Sequence, residues 1–108
     1  MYQLVFYVPS DHAESVKDAV FVAGAGRIGN YDRCCWQVEG RGQFRPLQGS
    51  NPYLGALGAE EQVPEMRVEM VLREESLEPV MAALLAAHPY EEPAYSIWPL
   101  LNLPQGKE

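Results

Sequence analysis

Apolar residues recur at every second position in four stretches of the chain and at helical spacing in two others, and the order of those stretches leaves few folds open. Residues 2–8 (YQLVFYV) put Tyr2, Leu4, Phe6 and Val8 on one face of a strand and Gln3, Val5 and Tyr7 on the other, and Pro9 ends it. Asp11 with Glu14 three positions on predicts a capping box. The helix it opens carries Val16, Ala19, Val20 and Ala23 at helical spacing and stops at Gly24 and Gly26. Residues 33–47 predict a long second strand. Cys34, Trp36 and Val38 point inward, Cys35, Gln37 and Glu39 point outward, and Gly40-Arg41-Gly42 forms a bulge or sharp bend before Phe44 and Leu47. Loop chemistry fills 48–58, and 65–73 predict a third strand with Met66, Val68, Met70 and Leu72 on one face. Ser76 caps a second helix with Pro79 in its first turn, striped by Leu77, Val80, Met81, Leu84 and Leu85 and ended by His88-Pro89. Residues 95–101 predict the fourth strand.

The order β-α-β-β-α-β predicts an α+β, ferredoxin-like sandwich: a four-stranded antiparallel sheet with two helices on one face. It occupies residues 1–102 as a single domain, with 103–108 as a flexible C-terminal tail. The face without helices would carry Val5, Tyr7, Val71 and Trp98. That is too apolar for exposure, so the chain is expected to associate with itself.

Composition narrows the partners. Eight basic residues stand against 15 acidic, a net charge of −7, which repels a phosphate backbone and argues against nucleic acid. No apolar run approaches the roughly 20 residues that span a bilayer, and the first residues, MYQLVFYVPSDHAE, lack the basic region of a signal peptide. Only Cys34 and Cys35 are present, and adjacent strand residues point to opposite faces. An ordinary disulfide is not expected, and a reducing, cytoplasmic setting is.

Gly24-x-Gly26-x-x-Gly29 matches a dinucleotide fingerprint as a string, but it follows a helix and opens a strand. It therefore reads as a helix stop. The chemically richest segment is 88–95, HPYEEPAY, in which two prolines hold an imidazole, two carboxylates and two phenols in a loop of low entropy. In a βαββαβ unit this loop shares one end of the sheet with Ser10-Asp11-His12 and with the hairpin loop around 51–53. Ligand-binding candidates are therefore His88, Tyr90, Glu91, Glu92, Tyr95, Asp11 and Asn51. A divalent metal, zinc or copper, would draw on His12, His88, Glu91 and Glu92, or on Cys34 and Cys35, although no zinc-site spacing is present. The glycine loop at 24–30 falls at the opposite end, and no catalytic residue is assigned.

HPYEEPAY (88–95) resembles the HPYEVPE-type loop of CutA-like proteins at the same helix-to-strand position. The blocks GAGRIGNYDRCCW (24–36), GQFRPLQGSNPYLG (42–55) and AAHPYEEPAYSIWPL (86–100) resemble the CutA/PII-like module inserted in YqfO-type members of the NGG-interacting-factor-like family. The resemblance implies a ferredoxin-like homotrimer. It also implies that the dinuclear metal site of full-length members lies on a separate, larger domain, which these 108 residues do not supply. The family's hydrolase activity is accordingly not carried over. The loop where PII proteins cradle phosphate carries Glu91 and Glu92 here, so nucleotide is not expected.

The resulting expectation is a stand-alone, non-enzymatic, trimeric binding or regulatory module for a small-molecule or protein partner, with no required cofactor. The alternatives are a divalent-metal binding protein and an enzyme with a subunit-interface site.

Overall fold

The computed structural model describes residues 1–103, 106 and 107. Of the expected tail, residues 104, 105 and 108 lie outside the described residues. The elements run β1 (Tyr2–Pro9), α1 (Ala13–Val22), β2 (Trp36–Phe44), β3 (Glu61–Leu72), α2 (Leu77–Ala87) and β4 (Tyr95–Pro99), with short 3-10 turns at Ser10–His12 and Glu74–Ser76. The strands form one antiparallel sheet in the order β2-β3-β1-β4. Leu4, Phe6 and Val8 of β1, Val68, Met70 and Leu72 of β3, Val16, Val20 and Phe21 of α1, and Val80 and Leu84 of α2 make one buried cluster. Both helices therefore cover the same face, and the fold is the α+β, ferredoxin-like sandwich read from the periodicities.

Register fixes the other face. Trp36 pairs with Glu69 and Val38 with Arg67 across β2 and β3. Across β1, Tyr7 pairs with Arg67, Val5 with Glu69 and Gln3 with Val71, while Trp98 and Ser96 of β4 flank Gln3 and Val5. The helix-free face thus carries Val5, Tyr7, Val71 and Trp98, as expected, together with Trp36 and Val38, which were expected inside. Trp36 is 61% exposed, Val38 46% and Trp98 41%. The reason lies in what meets β2 on its helical side: Lys17 Nζ donates to Gln37 Oε1 at 2.9 Å and Ser10 Oγ to Glu39 Oε1 at 3.1 Å. The inward positions of this edge strand face polar groups of the first helical segment, so they are polar, and the apolar alternation belongs to the open face.

Other local expectations are corrected. The second strand begins at Trp36, not Arg33, because Cys34 N–H bonds back to the Gly26 carbonyl at 2.8 Å and Gly26 N–H to Val71 at 2.8 Å. Gly40-Arg41-Gly42 makes no bulge, since Gly40↔Glu65, Arg41↔Pro64 and Gly42↔Val63 pair in unbroken register. Asp11 does not cap α1. A 3-10 turn intervenes, the cap position is His12, and Glu14 pairs instead with Lys17 at 2.9 Å. Ser76 does stand at the cap of α2, but without a side-chain hydrogen bond, and Leu85 of the expected stripe is exposed.

The β2–β3 hairpin outruns its neighbour. Pairing with β1 ends at Pro9↔Glu65, whereas pairing between β2 and β3 continues to Phe44↔Glu61. The result is an arm that carries the 45–60 loop beyond the sheet end, in a molecule measuring 54 × 25 × 23 Å. No helix among the described residues is long and apolar enough to cross a membrane.

Candidate functional site

Three segments far apart in sequence meet at the base of the arm: the first turn after β1, the arm loop, and the 88–94 loop between α2 and β4. The anchor is His88. It is buried, 6% exposed, where α2 gives way to extended backbone (φ −69°, ψ 134°). Its Nε2 lies 2.6 Å from the Tyr7 carbonyl, and Tyr90 N–H lies 3.1 Å from its Nδ1. The carbonyl can only accept and the amide can only donate, so the ring is neutral with the proton on Nε2. Burial pushes the imidazole below its ordinary value, outweighing the opposite pulls of the Tyr7 carbonyl and Glu65.

This places Tyr90 over the sheet end. Its hydroxyl donates to Glu65 Oε2 at 2.8 Å, and burial together with Glu65 raises the phenol well above its ordinary range. The Glu65 carboxylate reaches Tyr90 through space left by Gly42, where a Cβ would stand 2.2–2.8 Å from its carboxyl atoms. Tyr90 also packs at 5.7 Å and 62° against Phe44 of β2 and at 6.4 Å and 51° against Tyr53 of the arm loop. Tyr53 is held from its far side. His12 Nδ1 donates to Asp11 Oδ1 at 3.1 Å, leaving Nε2 to accept from the Tyr53 hydroxyl at 3.3 Å. Glu91 Oε1 accepts the Asn51 backbone N–H at 2.9 Å and ties the 88–94 loop to the arm.

Between these groups lies a cleft of about 260 Å3. Phe44, Pro46, Pro52, Tyr53, Leu54 and Tyr90 make its walls, Tyr7 stands at the sheet end, and Glu65, Glu91 and Glu92 supply its charged groups; among the described residues no lysine, arginine or histidine lines it. Arg67 lies behind Tyr7, donating to its hydroxyl at 2.8 Å and pairing with Glu69 at 3.3 Å.

The structure brings together the expected Asp11, Asn51, His88, Tyr90, Glu91 and Glu92. Their roles divide. Tyr90, Glu91 and Glu92 line the cleft, whereas Asp11, Asn51 and His88 position what lines it. Tyr95 pairs with Phe6 in β4 and is not a lining residue. Phe44, Tyr53 and Glu65 were not singled out as site residues. Phe44 and Glu65 read as ordinary strand positions, although Tyr53 sat in the loop expected to converge.

Among the described residues, no three histidine, cysteine, aspartate or glutamate side chains group as metal ligands. The set His12, His88, Glu91 and Glu92 therefore does not converge in the form proposed from sequence: both nitrogens of each imidazole already face partners, and Glu91 faces Asn51. Cys34 and Cys35 are partly buried and lie at the other end of the sheet, beside Gly26 and Val71.

No family model matches the chain. It is similar to proteins named GTP cyclohydrolase 1 type 2 homolog: 45% identical over 102 residues to that of Halalkalibacterium halodurans, covering 94% of this chain and 27% of the relative. It is 50% identical over 100 residues to that of Mycobacterium leprae, covering 93% and 26%. The chain thus spans about a quarter of the length of the curated relatives it matches. A solved Bacillus cereus protein related to NIF3 superposes with a TM-score of 0.79 at 42% identity, over 94% of this chain and 26% of that one. CutA1 from Pyrococcus horikoshii superposes with a TM-score of 0.68 at 18% identity, over 97% and 88%, a likeness of fold alone. What the chain is similar to, then, is one stretch of the longer NIF3-related proteins, folded as CutA is folded.

Proposed function

We propose that the chain is a self-associating, non-enzymatic binding or regulatory module of the YqfO-type, NGG-interacting-factor-like family, and that a small molecule occupies the cleft at the base of the arm. In this reading residues 1–102 are one domain, the assembly is a homotrimer, and the setting is cytoplasmic. One observation carries it. Segments near residues 12, 53 and 90 are tied to one another by side-chain hydrogen bonds and tilted rings, yet they enclose a space rather than closing on it. A connector that served only to turn the chain would bury those rings against each other. The non-enzymatic part rests on the imidazoles: His12 and His88 are each engaged at both nitrogens, which leaves neither as a free base facing the cleft. Self-association rests on Trp36, Val38 and Trp98 on the helix-free face.

Melting the wild-type chain and Phe44→Ala with the low-molecular-mass fraction of a cell extract tests the reading. A fraction that raises the melting temperature of the wild type and leaves the variant unmoved is expected, because a ligand that binds only the folded state stabilises it in proportion to its occupancy. Equal shifts in both proteins, or none in either, would contradict a ligand in this cleft.

A further inference from the structure

The geometry points to a small organic cation, of the quaternary or methylated ammonium class, as the ligand of this cleft, and we propose that Phe44, Tyr53 and Tyr90 form its aromatic cage. This deepens the reading of the chain as a binding module and rests on it. Three features select the class. First, the cavity of about 260 Å3 lies below the roughly 300–1,000 Å3 of drug-sized sites, so its occupant is small. Second, Tyr90 meets Phe44 edge to face at 62° and Tyr53 tilted at 51°, so the three rings do not stack in parallel and line the cleft from different directions. An aromatic face carries negative potential and attracts a cation within about 6 Å of the ring centre, the more so away from water. Third, every charged side chain on the lining is a carboxylate. An anion would be repelled, whereas a cation gains an attraction that a neutral guest of the same shape does not. A bare metal ion fits the same charge poorly, because among the described residues no three histidine, cysteine, aspartate or glutamate side chains group as its ligands.

The cage is built before a ligand arrives. Asp11 and His12 hold Tyr53, His88 holds the backbone of Tyr90, and Glu65 holds its hydroxyl, all at 2.6–3.3 Å. A guest therefore meets fixed walls and loses little to ordering them.

The test uses the full chain in its native assembly and two probes of nearly one shape: choline, and 3,3-dimethyl-1-butanol, in which carbon replaces the charged nitrogen. Followed by NMR of the aromatic side chains, choline is expected to shift the signals of Phe44, Tyr53 and Tyr90 and to bind at least tenfold more tightly than the neutral isostere. Phe44→Leu and Tyr53→Leu, which keep apolar bulk and remove a π face, are each expected to weaken choline by fivefold or more and to leave the isostere within twofold. Equal binding of the two probes, binding of neither up to about 50 mM, or choline shifts confined to other residues would each overturn the proposal. The failure is distinguishable from failure of the module reading: an extract molecule that stabilises the wild type and not Phe44→Ala, while choline does nothing, removes the cation and keeps the cleft.

Discussion

The imidazole of His88 donates from Nε2 to the carbonyl oxygen of Tyr7 at 2.6 Å, joining the end of α2 to the interior strand β1 across 81 residues of chain. Its other nitrogen accepts the Tyr90 amide, so one buried ring satisfies two backbone groups and sets the course of the loop between them. His88→Ala leaves a buried carbonyl and a partly buried amide without partners, at about 1–3 kcal/mol each, and opens a cavity besides. A loss of about 2–4 kcal/mol in urea unfolding is expected, and His88→Gln, which can still donate to Tyr7, is expected to lose less.

The same ring makes stability depend on pH. Its folded-state affinity for a proton is depressed by burial below the ordinary value near 6.5 that it regains on unfolding. The unfolded chain then binds more protons as pH falls through that value, so the contribution is fully present above about pH 6.5 and is lost on acidification below it. Thermal melts of wild type between pH 7.5 and 5 are expected to fall more steeply than those of His88→Gln. Parallel curves would show that the ring is not buried neutral.

Gly42 and Glu65 are expected to behave as a pair. A methyl group at position 42 would meet the Glu65 carboxyl atoms at 2.2–2.8 Å. The carboxylate is the free end of a flexible side chain and can swing away, but only by leaving the Tyr90 hydroxyl. Gly42 sits in a strand with ordinary backbone, where Ala is tolerated, so Gly42→Ala should change stability by less than about 1 kcal/mol. It should nevertheless make Tyr90 ionise more readily in an ultraviolet titration, by the part of the upward shift that Glu65 supplies and not the part that comes from burial.

Glu91 and Glu92 are adjacent and both exposed, yet they are expected to differ. Glu91 accepts the Asn51 amide, whereas Glu92 makes no hydrogen bond or ion pair among the described residues. Glu91→Ala should therefore speed amide hydrogen exchange at Asn51 and cost up to about 1 kcal/mol, and Glu92→Ala should do neither. Equal effects would mean that the 88–94 loop and the arm are not tied through Glu91.

Trp36 and Trp98 are exposed on the helix-free face. If that face is the contact between copies, Trp36→Glu with Trp98→Glu should lower the assembly mass in light scattering while leaving the far-ultraviolet spectrum unchanged, since a charge buried at an interface without a partner opposes association.

Much of this was legible from the residues. The six elements, the two-sided parity of β1 and β3, and the meeting of the 10–12, 51–53 and 88–92 segments follow from periodicity and topology. The exceptions share a cause. Strand β2 has apolar residues on its open face and polar ones toward α1, so alternation alone assigned Trp36 and Val38 to the wrong side; only its pairing with Glu69 and Arg67 settles it. The same holds for the cleft. Phe44 and Glu65 become site residues because the arm outruns β1 and Gly42 lacks a side chain, and neither relationship has a local signature. His12 and His88 drew attention as metal ligands because a sequence shows a histidine but not the backbone groups or phenol that occupy it.

Native mass spectrometry of the chain purified gently from cell extract tests the central claim, because it reports copy number and retained ligand together. A three-copy assembly carrying a small-molecule adduct in the wild type, with the adduct lost and the copy number kept in Phe44→Ala, is the predicted result. A single bare chain at micromolar concentration, or an adduct that Phe44→Ala retains in full, would contradict it.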